Sequence, residues 1–201
     1  GSTDTFAFEG AAPLGLAATV AGGNGNDTIS FTTENRAVQN ADFANVLSVE
    51  ALTFADGIGS SAVLAGTANT AGIASVYGGS GNDTLTVDET TYTAPTFHGA
   101  GGTDVLILSN DAATLSDAFF TDVLSVASFQ TANGTNDITL GTEASAAGIA
   151  TVTGGTGDDI LNATAMTSAV TLMGGTGTDT LTGGTNGSRL QGWAATGLTN
   201  T

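Results

Sequence analysis

Apolar and polar residues alternate along the chain in short runs, and residues that favour turns separate these runs. Three short β-prone runs lie at 83–87, 105–108 and 170–173, between turns rich in Gly, Asn and Asp. Alternation with a period of two is typical of a strand that buries one face. Helical periodicity is weak, and its best candidates, 112–120 and 144–149, are each either a helical turn or a loop. The pattern predicts a chain of many short strands.

A nine-residue pattern, Gly-Gly-x-Gly-x-Asp-x-apolar-x, recurs along the chain. Clean copies lie at 22–30, 78–86, 154–162 and 174–182. A weaker copy at 99–107 keeps the Asp and the apolar position but shifts a glycine, and a degenerate copy at 183–191 has Ser188 in place of the Asp. Self-similarity at a fixed period is the sequence signature of repeat and solenoid architectures.

A longer repeat of about 76 residues contains the short one. Residues 41–54 resemble 118–131, and residues 64–79 resemble 140–155. We therefore divide the chain into an N-terminal segment (1–14, whose first two residues are compatible with a cloning remnant), a first unit (15–98), a second unit (99–173), the start of a third unit (174–192) and a tail (193–201). Since the polar tail carries no clear end signal, we interpret the chain as a fragment of a longer protein.

The spacing of the motifs predicts how the repeats are wound. Long and short intervals alternate between the successive motif aspartates, which are Asp27, Asp83, Asp104, Asp159 and Asp179. If one coil takes about 19 residues, the short intervals are one coil and the long intervals are three. The predicted fold class is then all-β, a parallel β-roll or β-solenoid of about ten coils and about 50 Å in length. The alternative, in which the long intervals fold as separate β-modules between short rolls, stays open.

The residue types of the motif suit a calcium site. Glycine at the first, second and fourth positions permits left-handed dihedral angles and lets backbone carbonyls converge. The Asp at the sixth position adds a carboxylate, and Ca²⁺ takes about six to eight oxygen ligands of these two kinds. Period-two alternation places the eighth residue on the inner face of a short strand. These predicted core residues are Ile29, Leu85, Leu106, Leu161 and Leu181.

Charge and composition exclude several classes of function. The chain has 19 acidic residues, 2 basic residues and 1 histidine, for a formal charge of −17. A protein that binds nucleic acid or an anionic membrane surface through clustered Lys and Arg is excluded. The absence of cysteine excludes disulfide-stapled folds and thiolate zinc sites. Neither a run of 18 apolar residues nor a signal peptide is recognisable, so no membrane-spanning helix is predicted.

The sequence does not predict a catalytic constellation. His98 is the only histidine, so no Ser-His-Asp or Cys-His arrangement can form, and we interpret it as a turn or surface residue. Asp158 is the variable fifth position of its motif rather than one half of a catalytic carboxylate pair. We therefore predict that the chain is not an enzyme.

Aromatic residues occupy matched places in the two long repeats, which predicts core packing. These residues are Phe43, Phe54, Phe119, Phe120 and Phe129. A platform on which a sugar ring stacks is the alternative for three other aromatic residues, Tyr77, Tyr92 and Trp193.

The four clean motifs resemble the RTX, or haemolysin-type, calcium-binding repeat, whose tandem copies build a parallel β-roll. The resemblance implies that several Ca²⁺ ions lie between the turns of neighbouring coils. It pairs turn 78–83 with turn 99–104, and turn 154–159 with turn 174–179. Asp27 has no second motif one coil away, so its site is either half-built or completed by other residues.

The residues to which the resemblance assigns metal binding belong to five turns. They are Gly22, Asn24, Gly25 and Asp27; Gly78, Gly79, Ser80, Gly81 and Asp83; Gly99, Gly101, Gly102 and Asp104; Gly154, Gly155, Thr156, Gly157 and Asp159; and Gly174, Gly175, Thr176, Gly177 and Asp179. The aspartates are the expected carboxylate ligands.

The interspersed motifs are similar to those of bacterial surface-layer proteins, RTX adhesins and extracellular-matrix proteins. This resemblance implies a non-catalytic, secreted or cell-surface structural module that calcium orders and rigidifies. Expected partners are calcium, further copies or neighbouring repeats of the same protein, and a cell-surface polysaccharide. Two alternatives stay open: a secretion and folding module attached to a secreted lipase or protease outside this chain, and an adhesin segment that binds glycan directly.

Overall fold

A computed structural model describes residues 1–9, 14, 19–33, 35–57, 59–192 and 197–200. The chain divides into two compact units, Gly1–Asp104 and Val105–Thr201. Each unit consists mainly of short parallel strands, so the predicted fold class, an all-β parallel β-roll, is confirmed. The predicted boundaries of the repeat units stay predictions.

The first unit is wound from short strands that pair in parallel with strands one coil away. Among its described residues the strands are β1 (Thr5–Phe8), β2 (Val20–Ala21), β3 (Thr28–Phe31), β4 (Ala37–Val38), β5 (Val46–Leu47), β6 (Ala51–Thr53), β7 (Ser61–Leu64), β8 (Ser75–Tyr77), β9 (Thr84–Val87) and β10 (Thr96–His98). One sheet has the order β1-β3-β6-β8-β10, a second contains β4-β7-β9, and β2 pairs with β5. A 3₁₀-helix, Asn40–Asn45, and helix α1, Gly66–Ala71, interrupt the strands.

The second unit is built in the same way. Its described strands are β11 (Val105–Leu108), β12 (Thr114–Leu115), β13 (Val123–Leu124), β14 (Ser128–Gln130), β15 (Asp137–Thr139), β16 (Thr151–Thr153), β17 (Ile160–Asn162), β18 (Thr171–Met173), β19 (Thr180–Gly183), β20 (Arg189–Gln191) and β21 (Gly197–Asn200). Two parallel sheets have the orders β11-β14-β16-β18-β20 and β12-β15-β17-β19-β21. A 3₁₀-helix, Asp117–Phe120, and helix α2, Thr142–Ala147, lie between strands.

The length of a coil depends on whether it contains a helix. Asn136 and Asp159 hold equivalent places in neighbouring coils, lie 23 residues apart and have α2 between them. Asp159 and Asp179 also hold equivalent places, have no helix between them and lie only 20 residues apart. The predicted uniform coil of about 19 residues is therefore wrong, because a helix adds several residues to a coil.

The interval between Asp27 and Asp83 does not span three whole coils, as the motif spacing predicted. Asp27 precedes β3 and Asp83 precedes β9, and these strands belong to different sheets of the first unit. The strands within this interval pair in register with the motif strands, β3 with β6 and β7 with β9. The alternative of a separate β-module in this interval is also wrong.

The core lies between the sheets of each unit and is filled by the predicted residues. The apolar residue at the eighth position of all five motifs is completely buried; these residues are Ile29, Leu85, Leu106, Leu161 and Leu181. Burial of one such side chain contributes about 1.5–3 kcal/mol. The five phenylalanines predicted to pack in the core are at most 4% exposed: Phe43, Phe54, Phe119, Phe120 and Phe129. Core packing is confirmed for this set.

Side chains from the preceding coil cap the two α-helices. Asp117 Oδ1 accepts the N–H groups of Gly141 and Ala144 at 2.7 and 2.9 Å, and its Oδ2 accepts that of Glu143 at 2.9 Å. In the first unit Asn40 Oδ1 accepts two N–H groups at the start of α1 in the same way. These bonds satisfy donors that a helix N-terminus leaves unpaired. Both helices are six residues long, and no described helix is long and apolar enough to cross a membrane.

Candidate metal centre

The five motif aspartates occupy one structural position, immediately before a strand and inside a tight turn. Asp27 precedes β3, Asp83 precedes β9, Asp159 precedes β17 and Asp179 precedes β19. The side chains of these four residues and of Asp104 are at most 1% exposed. Carboxylates are rarely buried to this extent unless a partner compensates their charge.

One oxygen of each motif carboxylate ties two coils together. Its Oδ1 accepts a backbone N–H from the residue at the same position of the preceding coil. These bonds run from Asp4 to Asp27 (2.7 Å), Ser60 to Asp83 (2.6 Å), Asp83 to Asp104 (2.7 Å), Asn136 to Asp159 (2.9 Å) and Asp159 to Asp179 (3.1 Å). The carboxylates thus form columns of hydrogen bonds along the roll.

The second oxygen of each motif carboxylate has no such partner. Within the described part of the chain, Oδ2 of Asp27, Asp83, Asp104, Asp159 and Asp179 is inaccessible to water and accepts no hydrogen bond. A buried, unpaired carboxylate oxygen is costly, because it has lost its hydration and gained nothing in return. Either a proton or a cation must offset this cost.

The first glycine of the motif makes room where the oxygens of two turns converge. A Cβ on Gly154 would lie 2.5 Å from Asp159 Oδ2 and 2.5 Å from the carbonyl oxygen of Gly174 in the next coil. On Gly78 it would lie 2.5 Å from Asp83 Oδ2 and 2.9 Å from the Gly99 carbonyl oxygen. The absence of a side chain on each glycine therefore lets a carboxylate oxygen and a carbonyl oxygen from neighbouring coils approach the same place.

The structure brings together both pairs of turns that the resemblance predicted. In one pair the Gly101 N–H donates to the Gly79 carbonyl at 2.9 Å. In the other the Thr176 N–H donates to the Gly155 carbonyl at 3.0 Å. We call the space between turns 78–83 and 99–104 slot A. Slot B is the space between turns 154–159 and 174–179.

The weak motif keeps the conformation of the clean copies. Ala100 stands at its second position with φ +66°, where the clean motif at 78–86 has Gly79 at φ +92°. Gly102 keeps the fourth position at φ +102° and lies against the Gly81 carbonyl of the preceding coil. No glycine is shifted; instead, an alanine adopts the left-handed conformation, which is unfavourable for an L-residue with a Cβ.

Residues outside any motif complete the surroundings of Asp27. The Asp27 N–H donates to Glu50 Oε2 at 2.7 Å, so Glu50 continues the column one coil later. A Cβ on Gly22 would collide with both Asp27 Oδ2 and the carbonyl of Ser48. We call the space between turns 22–27 and 45–50 slot C. The nonapeptide pattern does not find Glu50, because this residue lies outside any motif and stands 23 residues from Asp27, a longer step than the predicted coil.

Burial perturbs the ionisation of these carboxyls. It raises the pKa of Asp83 to about 6. The hydrogen bond from the Ser60 N–H lowers this pKa, and the negative charge of Asp104 makes a smaller contribution that raises it. Burial likewise raises the pKa of Asp104 and of Asp159. The fold therefore holds these carboxyls in surroundings that disfavour their negative charge in the absence of a cation.

Side chains alone do not form a metal cluster. No group of three or more His, Cys, Asp or Glu residues within the described ranges is arranged to hold a metal. Each slot instead combines carboxylates from two coils with backbone carbonyls. An all-oxygen donor set that includes carbonyls suits Ca²⁺, whereas zinc and copper favour imidazole and thiolate.

The structure also shows the contacts and exposure of the single histidine, the two tyrosines and Asp158. His98 packs its ring edge-on against Tyr77, with the ring centroids 5.1 Å apart. Tyr92 is only 7% exposed and therefore offers no ring face for a sugar, whereas Tyr77 is 38% exposed. Asp158 Oδ1 accepts the N–H of Thr178 in the next coil at 2.7 Å. Trp193 lies outside the described residues.

Comparison with known protein families supports the calcium chemistry of these turns. The RTX calcium-binding nonapeptide repeat matches four segments: 18–30, 70–89, 146–165 and 169–194. Each segment contains one of the four clean motifs, and the weak motif at 99–107 lies outside them. Neither the curated proteins nor the solved structures that were compared match the chain. The chain therefore carries the RTX calcium-binding nonapeptide repeat in four copies, wound into a parallel β-roll.

Proposed function

We propose that the chain is a non-catalytic structural module in which Ca²⁺ ions lie between neighbouring turns and lock the coils of the roll together. One observation carries this proposal. All five motif aspartates bury an Oδ2 that has no hydrogen-bond partner among the described residues. In slots A and B this oxygen and a carbonyl oxygen of the next coil lie against the same glycine. Such a group of oxygens is mutually repulsive until a cation enters it.

Slots A and B contain two carboxylates each. In slot B, Asp159 and Asp179 hold the ion together with the Gly174 carbonyl. In slot A, Asp83 and Asp104 act with the Gly99 carbonyl. The remaining ligands are backbone carbonyls of the same turns, since Ca²⁺ takes about six to eight oxygens.

Slot C is a third site, assembled from only one motif. Asp27 Oδ2 and the Ser48 carbonyl both lie against Gly22, and Glu50 supplies a second carboxylate one coil later. We therefore expect three calcium ions in the chain. If the dissociation constants resemble those of extracellular modules, each site adds about 1–2 kcal/mol of stability at millimolar calcium.

The setting of this module is a bacterial cell surface or the secreted fraction, in a surface layer, an adhesin or an extracellular matrix. A formal charge of −17 and the absence of cysteine are compatible with a medium rich in calcium and free of thiol chemistry. Calcium-dependent contact with further copies of the chain, or with a surface polysaccharide, belongs to the same proposal.

Calcium titration by isothermal calorimetry, together with thermal unfolding followed by far-ultraviolet circular dichroism, tests the function. We expect saturable binding and a higher melting temperature in CaCl₂ than in EGTA, with a much smaller rise in MgCl₂. Asp159→Ala should lose one calcium ion. Asp56→Asn, which removes a charge from an exposed residue, should lose none. Absence of binding heat, together with identical melting curves in CaCl₂ and EGTA, would overturn the proposal.

A further inference from the structure

One turn without a motif occupies a place equivalent to the calcium turns. Residues 131–136 precede β15, which pairs in parallel and in register with β17, the strand that follows Asp159. Asn136 stands at the position of the motif Asp, and Thr131 at that of the first glycine. Asn136 is completely buried and Thr131 is 7% exposed. We call the space between turns 131–136 and 154–159 slot D.

Asn136 makes the column contacts of a motif aspartate. Its Oδ1 accepts the Ala113 N–H of the preceding coil at 3.0 Å. Its own N–H donates to Asp159 Oδ1 of the next coil at 2.9 Å. The amide oxygen thus replaces the carboxylate Oδ1, and the amide nitrogen stands where the aspartates have their unpaired Oδ2.

Oxygen atoms surround this amide nitrogen. Asn136 Nδ2 lies 3.1 Å from the Ala132 carbonyl oxygen, 2.9 Å from that of Gly134 and 3.2 Å from that of Gly154. It also lies 2.8 Å from Asp159 Oδ1. Three carbonyls and one carboxylate, drawn from two successive turns, are the kind of donor set that we assign to Ca²⁺ in slots A and B.

Thr131 places a side chain where the motif turns have their first glycine. Its hydroxyl donates to the carbonyl of Gly154, and it also lies 3.3 Å from the carbonyl of Thr153. In slot B the corresponding position is Gly154, which carries no side chain. Slot D is therefore filled by protein atoms that donate hydrogen bonds to the same oxygens.

We propose that the Asn136 amide and the Thr131 hydroxyl take the place of a calcium ion in slot D, so that this slot is closed without metal. The inference rests on the proposed calcium function of slots A and B. Two amide N–H bonds and one O–H bond offset the partial charges of the converging oxygens. The coils at slot D then stay joined when calcium is removed, and the row of calcium sites in the second unit begins at slot B.

The double variant Thr131→Gly, Asn136→Asp tests this proposal. It restores glycine at the first position and aspartate at the sixth, and it removes both donors. We expect isothermal calorimetry to count one calcium ion more than in the unchanged chain. Asn133→Asp is the matched control, because Asn133 is exposed in the same turn. Its Oδ1 accepts the Thr156 hydroxyl at 2.9 Å, a bond that a carboxylate also accepts. The control adds the same charge and should leave the calcium count unchanged.

The double variant has an unpaired buried carboxylate, so it can unfold in EGTA. In that case calcium must restore its far-ultraviolet circular dichroism, and a failure to do so overturns the proposal. An unchanged calcium count in a folded double variant, or an equal gain in Asn133→Asp, also overturns it. Asn136→Ala gives a second readout: it should melt lower than the unchanged chain in EGTA and in CaCl₂ alike, with no ion lost. Loss of an ion would make Asn136 a ligand and overturn the proposal.

These outcomes separate the two proposals. If the unchanged chain binds no calcium, the proposed function fails. If the unchanged chain binds calcium and the double variant gains no ion, only the assignment of slot D fails.

Discussion

Two aspartates of the second unit, Asp117 and Asp159, both accept N–H groups from a neighbouring coil, yet they differ in what surrounds the second oxygen. Asp117 lies against the start of α2, where three N–H groups converge on its two oxygens. Asp159 lies in a glycine-rich turn, where its Oδ2 meets the carbonyl side of the next turn and accepts no hydrogen bond. A helix N-terminus presents donors, and a turn of this kind presents acceptors.

The comparison shows that the local backbone decides whether a carboxylate between coils needs a metal. At the start of each α-helix, N–H groups compensate a side chain of the neighbouring coil. The motif turns leave such a side chain uncompensated and so become dependent on calcium. Two asparagines show the same contrast. Asn40 caps α1 through its amide oxygen, whereas Asn136 turns its amide nitrogen toward backbone carbonyls. Calcium should therefore stabilise the motif turns and leave the helix starts unaffected.

Removal of calcium should produce the largest effect. With three sites of about 1–2 kcal/mol each, chelation should lower the free energy of unfolding by about 3–6 kcal/mol. Urea unfolding in 2 mM CaCl₂ and in EGTA measures this difference in the free energy of unfolding. Hydrogen exchange should show that amide protection is lost in turns 154–159 and 174–179 before it is lost in α2. Equal loss of protection in α2 and in these turns would contradict the proposed difference between the helix and the motif turns.

Asp117→Ala should cost about 2 kcal/mol, at the upper end for a helix cap, because three N–H groups lose their acceptor. The cost should be the same in CaCl₂ and in EGTA, whereas the cost of Asp159→Ala should be large in CaCl₂ and small in EGTA. Asp117→Asn is the matched control: Asn40 shows that an amide oxygen can accept two N–H groups, so most of the stability should remain. Urea unfolding of the three variants in both media provides the measurement. A calcium-dependent cost for Asp117→Ala would remove the distinction between the two aspartates.

Without calcium, the stability of the chain should fall as the pH rises. The pKa of Asp83 is about 6 in the fold, against an ordinary value of 3.8. The folded state therefore binds this proton more tightly than the unfolded state does. The resulting stabilisation is complete below pH 3.8 and is lost as the pH rises through 6. Urea unfolding of the calcium-stripped chain in metal-free buffer, from pH 4.5 to 7.5, should show this decrease.

Calcium should reverse this trend, because protons and calcium compete for the same carboxylates. Asp83→Asn should flatten the decrease in the stripped chain, whereas the exposed Asp56→Asn should preserve it. Stability of the stripped chain that rises between pH 4.5 and 7.5 would show that the carboxyl is already compensated without metal.

Much of the motif geometry could be predicted from the sequence, because it is local. The nonapeptide specifies a turn, a carboxylate and an inward apolar residue within nine positions, and all five inward residues are completely buried. The closely spaced turns of slots A and B were also paired correctly, since no helix intervenes between them.

The rest depends on register between coils, which the sequence does not state directly. Glu50 and Asn136 each stand one coil of 23 residues from a motif aspartate, but the chain around them does not match the nonapeptide. Their equivalence appears only once the helix-bearing coils have been given their true length. Of the two six-residue helices, only α2 overlaps a helical candidate of the sequence, 144–149, and α1 was not predicted. Their starts are stabilised by Asn40 and Asp117 from the preceding coil rather than by local caps.

The smallest expected effect concerns the left-handed conformation, which the end of α2 and the motif turns both need. Gly148 ends α2 at φ +95°, and Ala100 occupies the second position of the weak motif at φ +66°. A left-handed alanine costs about 1–2 kcal/mol, part of which glycine gives back through its larger freedom in the unfolded chain. Ala100→Gly should therefore stabilise the chain by about 0.5–1 kcal/mol, and Gly148→Ala should destabilise it by a similar or larger amount.

Ala100 is exposed, so its replacement removes little packing, and urea unfolding of both variants in CaCl₂ isolates the backbone effect. Calcium calorimetry on Ala100→Gly should show tighter binding in slot A, because the left-handed conformation of this turn then carries no steric cost from a Cβ. A stabilised variant with unchanged affinity would show that this turn is already rigid before calcium binds. In that case the difference between the helix starts and the motif turns would be one of charge compensation alone.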